Sequence, residues 1–200
     1  MKKYLYIILF LVLAIILTLI MTGRTPNEEK ALAKAAANKE KIVALLRSTG
    51  RPQMEAVISY LDTTAFYTMG AGSHHDYTGG LAQHSLEVYR IMRLLTWFQS
   101  SDNVIITALF HDMGKITWGW HPYRATLILN NLDFHLTERE YITIIRHHRQ
   151  RLVYYRDPLR RALTMADALS AGWWILRHPF HKTVEAVPSG NGPEQDDLQP

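Results

Sequence analysis

The chain opens with a long uncharged stretch, after which apolar residues recur every three or four positions. Residues 4–21 carry no charge, and Thr18 is the only aliphatic polar residue among them. As a helix, this run would extend about 27 Å, close to the thickness of a bilayer core. We therefore predict an N-terminal transmembrane helix within a membrane anchor that covers residues 1–24.

A cleaved signal peptide is the alternative interpretation of this segment, because Lys2 and Lys3 form a basic start. The length of the run and the lack of a small-residue cleavage site close after Met21 favour an uncleaved anchor. Basic residues on the C-terminal side of the run slightly outnumber those before it. We expect a single-pass protein of the bacterial inner membrane with a cytoplasmic domain.

The rest of the chain shows helical periodicity and no convincing alternating strand pattern. Capping sequences begin at Thr25 and Thr137, and Asp157 is an N-cap candidate followed by proline. The pattern predicts an all-α domain. Its predicted helices cover residues 25–47, 52–67, 81–99, 102–113, 137–149 and 157–174.

Shifts in composition divide the chain after the anchor into three parts. Residues 25–50 are rich in Ala, Lys and Glu and predict a helical linker that ends at Gly50. Residues 51–182 carry the amphipathic helices of one domain. Residues 183–200 contain four acidic residues, no basic residue and several Pro and Gly, which is typical of a disordered acidic tail.

Composition and charge limit which metal ligands and which substrate contacts the chain can provide. The chain contains no cysteine, so a metal would have to be held by nitrogen and oxygen ligands. It contains ten histidines, about twice the usual number for this length, and its net charge is +4. Seven arginines lie between Arg139 and Arg161. This basic stretch is either a solvated or lipid-facing surface or a contact for substrate phosphate, for which we select Arg146 and Arg149.

Candidate metal ligands occur on three separate predicted helices. His84 lies on the first, the adjacent pair His111 and Asp112 on the second, and Asp167 on the last. A divalent cation needs three to six nitrogen or oxygen donors that converge from different elements. Lys115 follows the pair and a glycine, so its amine could reach the same site.

The sequences around these residues carry a family resemblance. Gly-Gly-Leu-Ala-Gln-His84-Ser-Leu-Glu-Val, Ala-Leu-Phe-His111-Asp112-Met-Gly-Lys and Met-Ala-Asp167-Ala-Leu-Ser resemble the HD-domain superfamily of metal-dependent phosphohydrolases. The block 73–88 is similar to HD-type 3′→5′ exoribonucleases and HD-type conjugative relaxases. The resemblance implies an HD-domain helical bundle. It also implies a divalent metal such as Mn, Fe or Mg, held by His84, His111, Asp112 and Asp167.

Some members of the superfamily hold a second metal through extra histidines between the HD pair and the last Asp. His147 and His148 resemble such a segment, and His121 follows the pair at a shorter spacing than is usual. Apolar spacing predicts that His148 points inward more than His147, so we include His148 among the metal ligands. A packed core histidine is an equally open interpretation. The further candidates, whose roles stay open, are His74, His75 and His135.

The resemblance implies a membrane-anchored phosphohydrolase that cleaves a phosphoester of a nucleotide or nucleic acid. Asp112 would bind metal and help orient the attacking water, and Lys115, Arg146 and Arg149 would counter phosphate charge. The alternative is a non-catalytic HD-fold binding or scaffolding module, including an accessory role in conjugative DNA transfer. A nucleotide-sensing regulator is a third interpretation.

Overall fold

The computed structural model describes residues 26–97, 99–148 and 157–177, and within these ranges the protein is all-helical. The predicted all-α class is therefore confirmed for this part of the chain. Two short 3-10 helices, Ala65–Tyr67 and Met113–Ile116, connect longer ones. The α-helices are α1 (Pro26–Ser48), α2 (Met54–Asp62), α3 (Gly80–Leu95), α4 (Ser101–Phe110), α5 (His121–Asn131), α6 (Glu138–Ile145) and α7 (Pro158–Arg177).

Two adjacent helices, α3 and α4, form the centre of the bundle. Helix α3 packs against α1, α4 and α7, and every residue from Gly80 to Leu86 is buried. Helix α4 is apolar around most of its circumference, and all of its residues from Val104 to Phe110 are buried. A short helix that is hydrophobic on all sides is stable only inside a core. The apolar sequence of α4 therefore places the C-terminal end of this helix, and the HD pair that follows it, in the interior.

The C-terminal half of α1 contributes to the same core. Ile42 and Leu46 are fully buried in the main hydrophobic cluster. Further towards the N-terminus of the helix, the buried amide of Asn38 donates a hydrogen bond to Gln83 on α3. The segment that the sequence suggested as a linker thus lies against the helix that carries His84.

Helix ends differ from the sequence prediction where local polar groups compete with the helix. The predicted helix over 52–67 is α2 followed by a 3-10 turn, because the hydroxyls of Thr63 and Thr64 bond to the carbonyls of Tyr60 and Leu61. Helix α5 was not predicted at all. Its first turn contains a proline and its C-terminal end two asparagines, which weaken the periodic signal.

Two helix starts in the second half of the domain agree with the sequence. The side chains of Thr137 and Glu140 form the predicted capping box at α6. Asp157 accepts hydrogen bonds from the amides of Leu159 and Arg160 at the start of α7. Helix α6 is shorter than predicted, since it ends at Ile145 rather than at residue 149.

The predicted anchor (1–24) and acidic tail (183–200) lie outside the described residues. Among the helices that the structure describes, none has both the length and the apolar character needed to cross a membrane.

A buried ion pair joins the α1–α2 connection to α6. The Glu140 side chain is fully buried, and its Oε1 lies 3.0 Å from Arg51 Nη1. Removing one partner of such a pair leaves an uncompensated charge in the interior. We expect Arg51→Ala to lower the free energy of unfolding by about 3 kcal/mol, measured by denaturant unfolding.

The matched control is Arg47→Ala, which removes an exposed pair with Glu55. We expect that change to cost far less stability than Arg51→Ala, because exposed ion pairs contribute little. Equal losses for the two arginines would contradict a special role for the buried pair.

Candidate metal centre

The four motif residues meet at one point in the fold. His84 comes from α3, His111 and Asp112 follow the end of α4, and Asp167 comes from α7. His84 Nε2 lies 3.1 Å from Asp167 Oδ1 and 3.5 Å from Asp112 Oδ2. His111 Nε2 lies 3.5 Å from Asp112 Oδ2 and 4.0 Å from Asp167 Oδ1. The ligand atoms of His84, His111 and Asp167 all lie within 4.8 Å of one another, as a metal site requires.

A second group of imidazoles lies on the other side of the Asp112 carboxylate. Asp112 Oδ1 is 3.0 Å from His121 Nε2 and 3.9 Å from His147 Nε2. His148 Nε2 approaches His121 Nε2 at 2.7 Å. Asp112, His121, His147 and His148 each offer a ligand atom within 4.8 Å of the others. The two oxygens of one carboxylate therefore face two separate candidate sites.

The predicted orientation of the His147–His148 pair was wrong. His147 is the buried residue, at 1% exposure, whereas His148 is exposed and reaches the site from its rim. The apolar spacing grouped His148 with Tyr141, Ile144 and Ile145, but only Ile144 of these lies on the buried face of α6, together with Glu140 and Thr143. Polar side chains face inward there because Glu140 pairs with Arg51. His147 continues that face beyond the end of the helix.

Backbone carbonyls orient two of the histidines for metal binding. The Nδ1 of His111 bonds to the Ala108 carbonyl at 2.9 Å, and the Nδ1 of His147 bonds to the Ile144 carbonyl at 2.6 Å. A carbonyl only accepts, so each Nδ1 carries a proton and each Nε2 is the nitrogen available to a metal. Among the described residues, neither Nε2 has a hydrogen-bond partner although both are buried. A cation between them would satisfy these atoms, so the donor set fits a metal.

The electrostatics of the site keep its groups in their ligand forms. Burial opposes the ionisation of Asp112, yet the Lys115 amine and neighbouring imidazoles hold the pKa of this carboxyl well below its usual range. Burial and the nearby His111 hold the pKa of His147 well below its usual value. Ionised carboxylates and neutral imidazoles are the forms that bind divalent cations.

Lys115 reaches the site as the sequence predicted. Its Nζ lies 2.6 Å from Asp112 Oδ2 and donates a hydrogen bond to the Ala71 carbonyl at 2.9 Å. The helix predicted over residues 102–113 is shorter in the structure, because α4 already ends at Phe110. A Cβ at Gly114 would collide with the His121 carbonyl. Glycine is needed there because α5 passes close enough to bring its own histidine to the site.

The other predicted residues lie around this centre or outside the description. Arg146 is exposed just after α6, and Arg149 falls outside the described residues. His75 is buried beside His84, with ring centroids 5.3 Å apart, and the half-buried His74 ring lies 4.5 Å from that of His84. His135 is exposed near the start of α6. The structure thus brings seven of the ten histidines into one region.

The depressed histidine pKa values predict a pH-dependent stability. Burial lowers the pKa of His147 well below its usual range and that of His74 to about 3. The unfolded chain therefore binds protons that the folded chain does not, once the pH falls below about 6.5. We expect the metal-free protein to lose up to about 1.4 kcal/mol of stability per pH unit for each such histidine between pH 6.5 and 5.

Denaturant unfolding of the full chain in mild detergent with a chelator would measure this loss. The carboxylates of Asp112 and Asp167 change the stability only at lower pH, because their pKa values are depressed. His147→Asn should flatten the pH dependence, whereas His135→Gln, at an exposed histidine outside the cluster, should preserve it. A stability that does not change between pH 6.5 and 5 would contradict the assignment of neutral buried imidazoles.

Comparison with known families agrees with the motif analysis. The family model described as HD domain matches residues 81–172. That range includes both groups of candidate ligands and excludes the loop with His74 and His75. No curated protein and no solved structure matches the chain. Residues 81–172 therefore match the HD-domain family, in agreement with the resemblance of the motifs.

Proposed function

We propose that this protein is a metal-dependent phosphohydrolase that binds two divalent cations and cleaves a phosphoester of a nucleotide or nucleic acid. The observation that supports this most is the position of Asp112. Its Oδ2 faces His84 and His111, and its Oδ1 faces His121 and His147. A carboxylate placed in this way can bridge two cations, an arrangement used for in-line displacement at phosphorus.

The donor set narrows the choice of cation. Each candidate site combines imidazole nitrogens with carboxylate oxygens, and the chain has no thiol. Imidazole ligands suit iron and carboxylate ligands suit manganese, whereas Mg²⁺ demands near-ideal octahedral oxygen coordination and retains its water. We therefore favour Mn or Fe over Mg among the metals that the family resemblance implies.

The ligands differ in exposure, which gives the site a closed side and an open side. His84, His111 and His147 are buried, whereas His121 is partly exposed and His148 is exposed. Substrate would therefore approach from the side of His121 and His148. Bound cations would polarise a phosphoryl oxygen and lower the pKa of a coordinated water. Asp112 would hold both ions, and the Lys115 amine would counter the charge that grows on the phosphate.

The surface beside His121 and His148 supports the choice of a nucleotide or nucleic acid as the substrate. Trp118 is 80% exposed and Trp120 is 47% exposed, immediately before His121. Exposed aromatic rings stack on nucleobases, and nearby basic residues such as Arg146 attract phosphate. These features favour a nucleotide or nucleic-acid phosphoester over a small alkyl phosphate.

The proposal includes attachment of the protein to a membrane. The uncharged run at residues 4–21 supports attachment to a membrane by the N-terminal segment, and the basic residues after it favour a cytoplasmic domain. The substrate would then be cleaved next to the bacterial inner membrane.

Metal content and hydrolysis test this function together. We expect the full chain, reconstituted with Mn²⁺, to bind two equivalents and to hydrolyse a generic phosphodiester such as bis-p-nitrophenyl phosphate. Asp112→Asn should lower kcat/KM by about 10²–10³-fold, because it removes the charge shared by both sites. The matched control is Asp62→Asn, at an exposed acid paired with Lys39, which should leave activity unchanged.

Single-ligand variants separate the two candidate ions. We expect His84→Ala and His147→Ala each to lower the bound metal from about two equivalents to about one, measured by elemental analysis after removal of free ions. Wild-type protein that binds no metal would overturn the proposal. Metal binding without hydrolysis of any phosphoester would favour the non-catalytic binding module.

A further inference from the structure

A buried polar network lies directly behind His84, outside the candidate metal ligands. Glu87 follows His84 by three residues on α3 and accepts three hydrogen bonds. Its Oε2 receives one from His75 Nε2 at 2.9 Å and one from Ser170 Oγ at 3.0 Å, and its Oε1 receives one from Gln83 Nε2 at 2.6 Å. Ser170 Oγ in turn lies 3.1 Å from His84 Nδ1.

The direction of these bonds determines which nitrogen of His84 carries a proton. A serine hydroxyl has one proton, and an ionised carboxylate only accepts. Because Ser170 donates its proton to Glu87, its oxygen can only accept from His84. His84 Nδ1 must then carry a proton, which leaves Nε2, the nitrogen that faces Asp112 and Asp167, as the atom that a cation would bind.

The hydrogen bonds that Glu87 accepts favour its ionised form. Burial works against its charge, but the hydrogen bonds from His75, Gln83 and Ser170 lower its pKa to about 2. The acceptor-only form that the network needs is therefore maintained.

His84 differs in this respect from the other two buried histidines. His111 and His147 donate to backbone carbonyls, which cannot reverse the direction of the bond. His84 has a hydroxyl partner instead, and a hydroxyl can either donate or accept. Without a strong acceptor behind Ser170, its proton could turn to His84 Nδ1 and drive the ring proton to Nε2, where it would block a metal.

We propose that Glu87 is a positioning residue that sets the metal-binding tautomer of His84 through Ser170. By the same carboxylate it also holds His75, and thus the glycine-rich loop 70–80, against this ligand. The inference rests on the proposed metal centre. Two hydrogen bonds separate the Glu87 carboxylate from His84. Glu87 therefore acts on the orientation of this ligand and not on the substrate.

The direct test is the tautomer of His84 in the metal-free full chain in mild detergent. Long-range ¹H–¹⁵N correlation spectra of imidazoles distinguish a proton on Nδ1 from one on Nε2, and a His84→Gln sample identifies the His84 signals. We expect a proton on Nδ1 in the wild type, whether or not Nε2, which lies 3.1 Å from Asp167 Oδ1, also carries one. Glu87→Gln should remove the proton from Nδ1 and leave the Nε2–H form, because the new amide can donate to Ser170 and Ser170 can then donate to Nδ1.

Metal affinity provides a second readout. We expect titration calorimetry with Mn²⁺ to show a 10–100-fold weaker affinity at one site for Glu87→Gln and Ser170→Ala, the usual effect of losing an outer partner of a ligating histidine. Ser170→Thr, which retains the hydroxyl, should keep near wild-type affinity. Glu55→Gln, an identical change at an exposed glutamate on α2, is the matched control.

The outcomes separate this inference from the proposed function. Wild-type protein that binds no Mn²⁺ would overturn the metal centre, while the His84 tautomer would still test the role of Glu87. If the wild type binds Mn²⁺ and Glu87→Gln changes neither the tautomer nor the affinity, the inference alone is wrong. If Glu87→Gln does not fold, the two Ser170 variants decide. Weaker Mn²⁺ binding by Ser170→Ala but not by Ser170→Thr supports the inference, and equal Mn²⁺ affinity in the two variants overturns it.

Discussion

The candidate metal centre is organised around the buried negative charge of Asp112. The Asp112 carboxylate is 1% exposed, and a charge in such a place is stable only if cations and hydrogen-bond donors surround it. Lys115 supplies one cation at 2.6 Å, and four imidazoles approach the two oxygens from opposite sides. These partners come from α3, the turn after α4, α5 and the end of α6. The need to surround Asp112 therefore explains why elements distant in the sequence converge here.

The helices provide the rigid frame for this arrangement. Because α4 is apolar on nearly all sides, it lies in the core and places His111 and Asp112 at its inner end. Helix α3 beside it presents His84 towards the site and Glu87 towards α7 and the glycine-rich loop. Gly114 lets α5 pass close to the turn after the HD pair. Each of these features is local in sequence, but the site exists only where they meet.

Sequence analysis predicted the helical class and the capping box at Thr137 because both depend on nearby residues. It selected His84, His111, Asp112 and Asp167 through motif resemblance, and the structure places all four within reach of one another. Their role as metal ligands remains a proposal that the geometry supports.

Long-range polar contacts account for what the sequence analysis missed at the site. The orientation of His147 and His148 depends on Glu140, a polar residue that is buried only because Arg51 from another helix pairs with it. The His84–Ser170–Glu87 network likewise joins residues far apart in sequence. Apolar periodicity carries no information about such long-range polar contacts. Helix α5 was missed because its proline and asparagines weaken the local signal, although its packing against the turn at Gly114 stabilises it.

The most direct test of the metal centre is the position of bound ions. Anomalous X-ray diffraction from crystals of the full chain grown with Mn²⁺ would locate them without reference to any substrate. The account predicts two peaks on opposite sides of the Asp112 carboxylate, one among His84, His111 and Asp167 and the other among His121, His147 and His148. No peak beside Asp112 would contradict the account, and one peak alone would contradict the bridging role of its carboxylate.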